Sequence, residues 1–390
     1  MTKNLRGKIM RIGIVNCFET YNIRAQQTKV YFESMGCKVD IIVSNFSHRD
    51  KVQIDNKEKG TIVIDVPAYK KNLSIRRMYS HFSFAKKVRG VIEKENYDLL
   101  YVLIPPNTLV SQIYKSSYNS ILVYDIIDLW PEAMPLGKLK NLKIARFWSN
   151  IRDKHLNNAD VVITECEMYA DFLKKTNKSI PFNTVYFNGG IPIETEYKEK
   201  DYNRINLCYI GSINNLLDID LLFDLLVNLN NKIKVTFNII GDGEKKKDLV
   251  EKLILSNVSF NDYGIIFDEL KKKDIISQCD FGLNFMKSST KVGLTMKSIE
   301  YFRYGLPIIN NIPYDTWNFV KDYEIGLNLE RGNEEIVANR MINLKRSNLI
   351  DSYRLNTRQM YQTYFSESSY TAKMNEIFYD KFLGELNAKY

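Results

Sequence analysis

The stretch 281–309 reads FGLNFMKSSTKVGLTMKSIEYFRYGLPII and contains a strand, a loop, a helix and a second strand in order. Phe281–Phe285 is a short apolar run, and a polar loop separates it from a helical pattern that begins near Thr295. Gly305 ends that pattern, and a second apolar run starts at Ile308. Two strands joined through a helix form a parallel βαβ unit, so this stretch predicts an α/β fold with a parallel sheet.

The same alternation of apolar runs and helical patterns extends over the rest of the chain. In the first half, the predicted strands are Lys8–Cys17, Cys37–Asn45, Gly60–Pro67, Asp98–Ile104, Ile121–Ile127, Asp160–Thr164 and Thr184–Phe187. In the second half, they are Ile205–Ile210, Val235–Ile240, Val258–Asn261, Phe281–Phe285, Ile308–Asn311 and Gly326–Leu329. Continuous apolar runs without strict alternation are typical of parallel strands that helices cover on both faces.

A charged segment, Ile193–Arg204, interrupts the pattern and is predicted to link two domains. The sequence predicts an N-terminal domain over 1–195 and a C-terminal domain over 204–366, each Rossmann-like with its own parallel sheet. The last segment, 367–390, has apolar residues at helical spacing and needs a surface on which to pack. Ligands of open α/β sheets bind at the carboxyl ends of the strands, so the cleft between two such sheets is the expected site of chemistry.

The composition is that of a soluble globular protein with an excess of positive charge. Of its 390 residues, 45% are hydrophobic and 26% are charged, and the formal net charge is +9. This charge suggests an anionic partner, such as nucleic acid, an anionic membrane face or a phosphorylated substrate. Nucleic acid is the least favoured of these because the sequence contains no recognised nucleic-acid-binding module.

Cysteine and histidine usage predicts neither disulfides nor a metal site. The five cysteines form no C-x-x-C pair and lie mostly in apolar runs, which indicates buried thiols in a reducing compartment. The three histidines do not share the spacing of metal ligands. The sequence has no apolar run of the roughly 18 residues that a membrane span needs, and no signal peptide. We expect a cytoplasmic protein, with peripheral contact at the inner membrane face as a further prediction.

The helix that begins near Thr295 carries the strongest candidate binding residues. Thr295 is a plausible N-cap, and Lys297 and Glu300 lie in the first turns of the helix. A lysine near a helix N-terminus opposes the helix dipole unless it faces an anion such as a phosphate. Glu300, one turn further along, can accept hydrogen bonds from sugar hydroxyls. The alternative is an exposed helix start with an ordinary Lys297–Glu300 pair.

Two glycine turns follow predicted strands of the second half. Gly211 and Ser212 follow Ile205–Ile210, where backbone N–H groups can approach a phosphate; a simple strand terminator is the alternative. Gly241 belongs to a Gly-Asp-Gly turn, for which a structural role is favoured and a backbone contact with a ligand stays open. Asp218-Ile-Asp220 matches a metal-binding D-x-D pattern, but capping of the following helix explains it better.

In the first half, Asp128 and Glu132 bracket a Trp-Pro turn directly after the strand Ile121–Ile127. They are the candidates for a general base or for binding sugar hydroxyls, and a capping role is the alternative. Two stretches mix basic and aromatic residues, 69–89 and 138–154. Basic amphipathic helices of this kind suit an anionic membrane face, although the second stretch favours a structural role because its apolar positions suffice for a core.

The chain resembles the family-four glycosyltransferases of the GT-B fold over almost its whole length. The resemblance lies in the order and spacing of several short motifs: Asp128–Glu132 (DLWPE), Ala159–Thr164 (ADVVIT), Asn188–Gly190 (NGG), Tyr209–Ser212 (YIGS), Gly241–Gly243 (GDG), Asp280–Leu283 (DFGL), Lys297–Tyr301 (KSIEY) and Gly305–Ile308 (GLPI). It implies two Rossmann-like domains facing a cleft. It also implies a metal-independent, retaining transfer of a sugar from a nucleoside diphosphate sugar of the UDP or GDP type, with no cofactor.

The resemblance also implies roles for individual residues. Glu300 matches the second Glu of the family's E-x7-E motif, which typically holds the donor ribose. The backbone around Thr295 and the turn at Gly211 would face the diphosphate, and Lys297 would supply positive charge. The final helix would cross back to the N-terminal domain. For a bacterial surface polysaccharide such as capsule or lipopolysaccharide O-antigen, the acceptor would be a lipid-linked glycan.

The sequence departs from the family pattern at two positions that bear on activity. The first Glu of E-x7-E is replaced by Val292, and Ile127 stands where many members have a histidine. Two other functions therefore stay open. The chain is alternatively a non-catalytic GT-B subunit that activates a partner transferase, or a GT-B sugar-nucleotide epimerase.

Overall fold

The computed structural model describes residues 9–54, 60–72, 74–114, 119–134, 143–197, 201–289 and 291–378. The chain divides into two compact units. Unit 1 runs from Met1 to Asn188 and resumes at Tyr370, and unit 2 runs from Gly189 to Ser369.

Unit 1 is built on a seven-stranded parallel sheet in the order β3-β2-β1-β4-β5-β6-β7. Its strands are β1 (Arg11–Asn16), β2 (Lys38–Ser44), β3 (Thr61–Ile64), β4 (Leu99–Ile104), β5 (Ile121–Ile126), β6 (Val161–Thr164) and β7 (Phe182–Thr184). The helices between them are α1 (Asn22–Ser34), α2 (Ile75–Glu95), α3 (Thr108–Gln112), α4 (Lys143–Asp153) and α5 (Glu167–Lys174). The central strand β4 is buried at every position, as expected for a parallel strand that is covered on both faces.

Unit 2 repeats this design with a six-stranded parallel sheet in the order β10-β9-β8-β11-β12-β13. Its strands are β8 (Arg204–Ile210), β9 (Lys234–Ile240), β10 (Ser259–Asp262), β11 (Phe281–Asn284), β12 (Ile308–Asn310) and β13 (Gly326–Asn328). Its helices are α6 (Ile219–Asn230), α7 (Lys246–Leu255), α8 (Glu269–Ile276), α9 (Met296–Arg303), α10 (Asp315–Tyr323), α11 (Glu334–Arg346) and α12 (Ile350–Tyr364). Asp218 caps α6 by accepting a hydrogen bond from the Leu221 amide at 3.2 Å, which confirms the capping interpretation of the D-x-D pattern.

The last described helix, α13 (Glu367–Phe378), contributes its apolar side to the core of unit 1. Tyr370, Met374, Ile377 and Phe378 are buried among the strand and α1 side chains of that core. The Tyr370 hydroxyl lies 3.2 Å from the Thr28 hydroxyl on α1. The predicted segment extends to residue 390, and its part beyond 378 lies outside the described residues.

Each predicted strand matches a strand of the structure, and the ends differ by at most three residues. Strand β7 is the one that is displaced furthest along the sequence. The sequence predicts Thr184–Phe187, whereas β7 covers Phe182–Thr184. The physical reason is that the Arg24 guanidinium binds the carbonyl oxygens of Val185 and Tyr186 at 3.0 and 3.2 Å. These two carbonyl oxygens therefore accept hydrogen bonds from the Arg24 side chain and not from a neighbouring strand.

The five cysteines are all buried, as predicted, and none of them forms a disulfide. Among the described residues, no group of three or more His, Cys, Asp or Glu side chains is placed to hold a metal ion. In the same part of the chain, no helix combines the length and the hydropathy that crossing a bilayer requires.

Strand order marks the two places where a ligand is expected. In each sheet the direction of winding reverses at one point, between β1 and β4 in unit 1 and between β8 and β11 in unit 2. Loops that leave neighbouring strands in opposite directions open a crevice at the carboxyl ends of those strands.

Candidate functional site

The loop after β8 meets the loop after β9 through close backbone packing. A Cβ atom on Gly241 would lie 2.0 Å from the Gly211 carbonyl oxygen, and one on Gly243 would lie 2.3 Å from the Ile213 carbonyl oxygen. Both glycines have positive φ, so their conformation also favours glycine. The structural role favoured for the Gly-Asp-Gly turn is confirmed. A contact between Gly241 and the nucleotide-sugar donor stays a prediction.

Gly211 adopts φ +127° directly at the end of β8, and its amide donates to the Ile240 carbonyl at 3.0 Å. A Cβ atom there would lie 3.8 Å from Cδ of Lys297, so the Lys297 side chain crosses over this turn. Ser212 is exposed, and its carbonyl accepts a hydrogen bond from the Tyr209 hydroxyl at 2.8 Å. The structure thus brings together Gly211 and Lys297, which are far apart in the sequence.

Thr295 is the N-cap of α9, as predicted. Its hydroxyl accepts a hydrogen bond from the Ser298 amide at 3.1 Å, which satisfies one of the free N–H groups of the first turn. Its backbone is extended, and the helix begins at the next residue. The remaining N–H groups of this turn are available to an anion.

Lys297 is surrounded by protein but has no acidic partner. Its ammonium nitrogen lies 4.6 Å from the centroid of the Tyr209 ring, and no carboxylate among the described residues is within ion-pair distance. Burial lowers the pKa of Lys297 to about 7. A lysine in this setting gains most from an anionic ligand, because the ligand supplies the missing negative charge.

Glu300 does not pair with Lys297, which was the alternative drawn from their spacing. It accepts a hydrogen bond from the Lys272 ammonium of α8 at 2.6 Å, and its side chain is 30% exposed. Lys297 and Glu300 therefore do not pair with each other. Glu300 is paired with Lys272, and Lys297 has no acidic partner among the described residues.

Tyr301 and three asparagines hold α9 against the sheet, and the sequence did not single them out. The Tyr301 hydroxyl accepts from the Ile210 amide at 2.8 Å and donates to the Leu283 carbonyl at 3.1 Å. Asn284, Asn310 and Asn328 end three adjacent strands in register and bond side chain to side chain at 2.9 Å. Asn284 also donates to the Ser298 hydroxyl at 3.0 Å. These asparagine contacts could have been predicted from the sequence, because an asparagine lies near the end of each of these three predicted strands.

In unit 1, Asp128 lies after β5 between two tyrosines. It accepts a hydrogen bond from the Tyr21 hydroxyl at 3.0 Å, and the Tyr169 hydroxyl lies 3.5 Å away. Burial raises the pKa of Asp128, although the hydrogen bonds oppose this. Asp128 is thus a carboxylate whose proton affinity is increased, which suits a general base.

Glu165, at the end of the neighbouring strand β6, is a further carboxyl that the sequence did not single out. Its pKa is raised to about 8, chiefly by burial; Arg24 opposes this rise, and the charges of Asp128 and Asp125 contribute to it. Arg24 itself forms a buried ion pair with Asp125 at 2.9 Å. Three carboxyl groups therefore lie near one another at the carboxyl ends of β5 and β6.

Glu132 is held in a different arrangement from Asp128. Its two carboxylate oxygens accept hydrogen bonds from the buried guanidinium of Arg152 at 3.0 and 3.2 Å, and Ser149 donates to it at 2.7 Å. Both oxygens are engaged, so a structural ion pair accounts for this residue. The catalytic role predicted for Glu132 stays a prediction.

A cavity of about 800 Å³ occurs elsewhere in unit 2. It is bounded by the segment 192–197, by α8 and by α12. None of the predicted site residues lines it.

No family model matches the sequence. A Methanocaldococcus jannaschii protein that carries the name of an uncharacterized glycosyltransferase is 23% identical over 293 residues, which cover 74% of this chain and 76% of the relative.

Solved structures match the chain over nearly its full length. Sucrose-phosphate synthase from Thermosynechococcus elongatus has a TM-score of 0.70 at 13% identity and covers 96% of this chain and 100% of its own. The lipopolysaccharide outer core galactosyltransferase WaaB has a TM-score of 0.68 at 13% identity, with coverage of 96% and 100%. Anabaena HepE in complex with UDP and glucose has a TM-score of 0.65 at 13% identity, with coverage of 94% and 99%.

At these identities the likeness shows the fold. The chain has the GT-B fold, with two Rossmann-like α/β domains on parallel sheets, and this prediction is confirmed. The predicted resemblance to glycosyltransferases is confirmed as well, since the relative carries that name. Of the matched structures, WaaB is a lipopolysaccharide outer core galactosyltransferase and WaaG a glycosyltransferase involved in lipopolysaccharide biosynthesis.

Proposed function

We propose that this protein transfers a sugar from a nucleoside diphosphate sugar to a glycan acceptor, and that unit 2 binds the donor. Fold alone does not assign an activity, so the proposal rests on the site. The observation that carries it is Lys297, an ammonium group without a carboxylate partner that crosses the Gly211 turn at the N-terminal end of α9. The names of the relative and of the structural neighbours support the same class of enzyme.

The donor diphosphate is proposed to lie against Gly211, the first turn of α9 and Lys297. When the bond between the anomeric carbon and the diphosphate oxygen breaks, negative charge develops on the leaving diphosphate. Lys297 and the free N–H groups after Thr295 stabilise this charge, and they are already in position before the reaction begins. The Asn284 and Tyr301 contacts fix α9, so little reorganisation is needed at the moment of transfer.

We propose a UDP-type donor, because HepE, one of the matched structures, is solved with UDP and glucose. On the acceptor side, the attacking hydroxyl approaches the anomeric carbon from the face that the diphosphate leaves, forms the new bond there as the bond to the diphosphate breaks, and gives its proton to Asp128. The proposal further includes retention of the anomeric configuration. It also includes a lipid-linked acceptor and a role in capsule or O-antigen synthesis. The anomeric configuration of the product, read by NMR, tests retention directly.

Replacing Glu300 with alanine is expected to weaken UDP binding by about 10- to 150-fold, because a charged hydrogen bond contributes about 1.5–3 kcal/mol. Isothermal titration calorimetry with UDP, GDP, CMP and dTDP measures this and identifies the base. Binding of one nucleotide that is lost in the variant supports both the donor site and the role of Glu300.

The matched control is Glu269→Ala. Glu269 forms the neighbouring ion pair between the same two helices, with Arg303 at 2.6 Å. If Glu269→Ala weakens UDP binding as much as Glu300→Ala, the effect comes from loosening α8 against α9 and not from a lost ribose contact. If no nucleotide binds the wild type, the donor proposal is wrong and the non-catalytic subunit becomes the better interpretation.

Peripheral membrane contact through 69–89 is proposed on the exposed side chains of α2. Ile75, Tyr79 and Phe82 are 86%, 61% and 44% exposed and lie on one side of the helix, with Arg76 and Lys86 exposed beside them. An apolar stripe edged by cations suits an anionic bilayer surface. Arg77, in contrast, is buried and does not belong to this surface.

Replacing Ile75, Tyr79 and Phe82 together with serine should reduce binding to vesicles that contain an anionic lipid by at least tenfold, because about 1.4 kcal/mol of apolar burial is enough for that change. Vesicle co-sedimentation measures it. Phe147→Ser is the control, since Phe147 is 60% exposed on α4, in the other basic–aromatic stretch. Equal vesicle binding by the triple variant and the wild type would remove the membrane contact from α2.

A further inference from the structure

Unit 1 contains a cluster of basic side chains around the buried guanidinium of Arg77. This Arg77 cluster consists of His48, Lys51, Tyr69, Arg77 and His81. Arg77 donates to His81 Nε2 at 3.4 Å, and one of its terminal nitrogens lies 3.5 Å from His48 Nε2. The Lys51 ammonium lies 5.1 Å from the centroid of the Tyr69 ring, and the Arg77 guanidinium lies 4.5 Å from that of Trp130.

The positive charge of this cluster has no directly paired acid in the described part of the chain, although the charge of Glu19 acts on His48 and Lys51. No carboxylate among the described residues lies within ion-pair distance of Arg77 or Lys51, whose polar contacts are carbonyl oxygens, the Asn72 amide oxygen, the Tyr69 hydroxyl and ring nitrogens. Glu19 is the carboxylate nearest to the cluster, and it already accepts hydrogen bonds from the amides of His48 and Arg49 and from Ser47. A buried guanidinium without an acid is costly, so an anionic ligand would stabilise the cluster.

The protonation of the neighbouring groups agrees with this excess of charge. Burial and then the charge of Arg77 lower the pKa of His48 to about 4 and lower that of His81 as well. Lys51 also has a lowered pKa, from burial and from Arg77. The cluster therefore repels further protons in the absence of an anion.

Lys51 is held in a conformation that lysine rarely adopts. Its φ is +62°, in the left-handed region that favours glycine or asparagine. Strained backbone of this kind is concentrated at sites where a side chain has a task. The side chain that this conformation presents is the partly exposed cation at the edge of the cluster.

The cluster also lies where ligands of α/β sheets bind. Phe18 follows β1, His48 and Lys51 follow β2, and Trp130 follows β5, so the loops at the carboxyl ends of these strands build it. The ring centroid of Phe18 is 4.9 Å from His48 and 5.4 Å from Trp130. The Tyr21 hydroxyl donates to Asp128. Tyr21 also lies close enough to Arg77 for the positive charge of Arg77 to oppose the rise in the Tyr21 pKa that burial causes. The cluster is thus a neighbour of the proposed base.

We propose that the Arg77 cluster binds a phosphate group, with Lys51 and the His48-facing nitrogen of Arg77 as its donors; the two ring nitrogens of His48 already face the Tyr69 hydroxyl and Arg77, so His48 lines the site. A carboxylate is best held by two parallel donors of one guanidinium, but the other Arg77 nitrogens are occupied by Asn72 and His81. Single donors from two separate residues, Lys51 and Arg77, suit the tetrahedral oxygens of a phosphate better. If the proposed function holds, the phosphate is that of the lipid-linked acceptor.

The test follows the histidine ring signals by NMR during titration of the whole protein with inorganic pyrophosphate. The chain has three histidines, which makes the signals assignable. We expect the His48 and His81 signals to shift saturably. His155 is an internal reference, because it stacks on Tyr114 away from the cluster, and its signal should stay in place. Pyrophosphate held at the donor site in unit 2 would move none of these signals.

The variant Lys51→Asn separates binding from folding. Asparagine suits the left-handed backbone, so the folded protein should be no less stable, while pyrophosphate affinity at the cluster should fall at least fivefold. Lys70→Asn is the control, because Lys70 is an exposed lysine nearby that belongs to no contact of the cluster. Equal affinity of Lys51→Asn and wild type would overturn the assignment of Lys51 and with it the proposed phosphate site.

Two further outcomes decide the ligand. If the His48 and His81 signals shift with glucuronate but not with pyrophosphate, the ligand is a carboxylate and the proposal of a phosphate ligand is wrong. No shift with either would overturn the site, while the donor proposal would still stand on the UDP calorimetry. A short-chain lipid diphosphate that binds more tightly than pyrophosphate would support the acceptor as the source, and equal binding would support a free phosphate.

Discussion

Replacing Lys297 with methionine is expected to lower kcat/KM for sugar transfer by a factor on the order of 10² to 10³, the usual effect of removing one group that stabilises a leaving charge. Methionine keeps the apolar part of the side chain over the Gly211 turn and removes the ammonium. The loss should fall mainly on kcat, because the charge on the diphosphate is greatest when the glycosidic bond is breaking.

The same substitution should not destabilise the folded protein. Burial lowers the pKa of Lys297 to about 7, and an unfolded lysine has a pKa of about 10.4. The folded state therefore disfavours the charged form, and its stability falls as the pH is lowered from about 10 to about 7. The methionine variant lacks this group. It should be at least as stable as the wild type near neutral pH, with a difference that shrinks as the pH rises.

Thermal unfolding at about pH 7 and about pH 9.5 measures the stability difference, and initial rates with the donor identified by calorimetry measure the transfer. Lys287→Met is the control, since Lys287 is exposed in the loop after β11. A Lys297→Met variant with normal kcat/KM would show that the ammonium does not face the diphosphate. A variant that unfolds well below the wild type would show that Lys297 stabilises the fold.

The proton uptake of UDP binding gives an independent check on this residue. An anion beside Lys297 raises its pKa towards the ordinary value, so binding above about pH 7 should take up close to one proton. Calorimetry in buffers of different ionisation enthalpy reports that number. The Lys297→Met variant should take up none at this position.

The fold followed from the sequence because each strand is a local property. A continuous apolar run such as Leu99–Ile104 identifies a buried parallel strand without knowledge of its neighbours. The N-cap Thr295 is equally local, because a threonine before a helical pattern satisfies amides only two or three positions ahead. The shifted strand β7 shows the limit, since its end is set by Arg24, a residue more than a hundred positions earlier.

The site was less predictable, because it depends on partners that are distant in the sequence. Spacing along the helix suggested a Lys297–Glu300 pair, but Lys272 of another helix takes Glu300 and leaves Lys297 without an acid. Glu132 has the same local setting as Asp128 but meets Arg152. The raised pKa of Glu165 comes from burial, which no local motif encodes.

Replacing Asp128 with asparagine is expected to lower kcat by a factor on the order of 10² to 10⁴, the usual contribution of a general base, and to leave UDP affinity unchanged. Asparagine keeps the shape of the side chain and an oxygen that can accept the Tyr21 hydrogen bond, so the variant should fold. The acceptor hydroxyl would then lack the group that takes its proton. Initial rates and UDP calorimetry on the same preparation separate the two effects.

Two controls separate a base from a structural carboxylate. Asp171→Asn changes an exposed aspartate on α5 that pairs with Lys174, and it should keep the normal kcat. Glu165→Gln removes the neighbouring carboxyl, whose raised pKa of about 8 leaves it uncharged at acid pH, so this variant should keep the acid limb of the pH–rate profile in place without abolishing transfer. A normal kcat for Asp128→Asn would assign Asp128 to capping. A low kcat with a matching loss of UDP affinity would point to misfolding, because the donor is proposed to bind in the other unit.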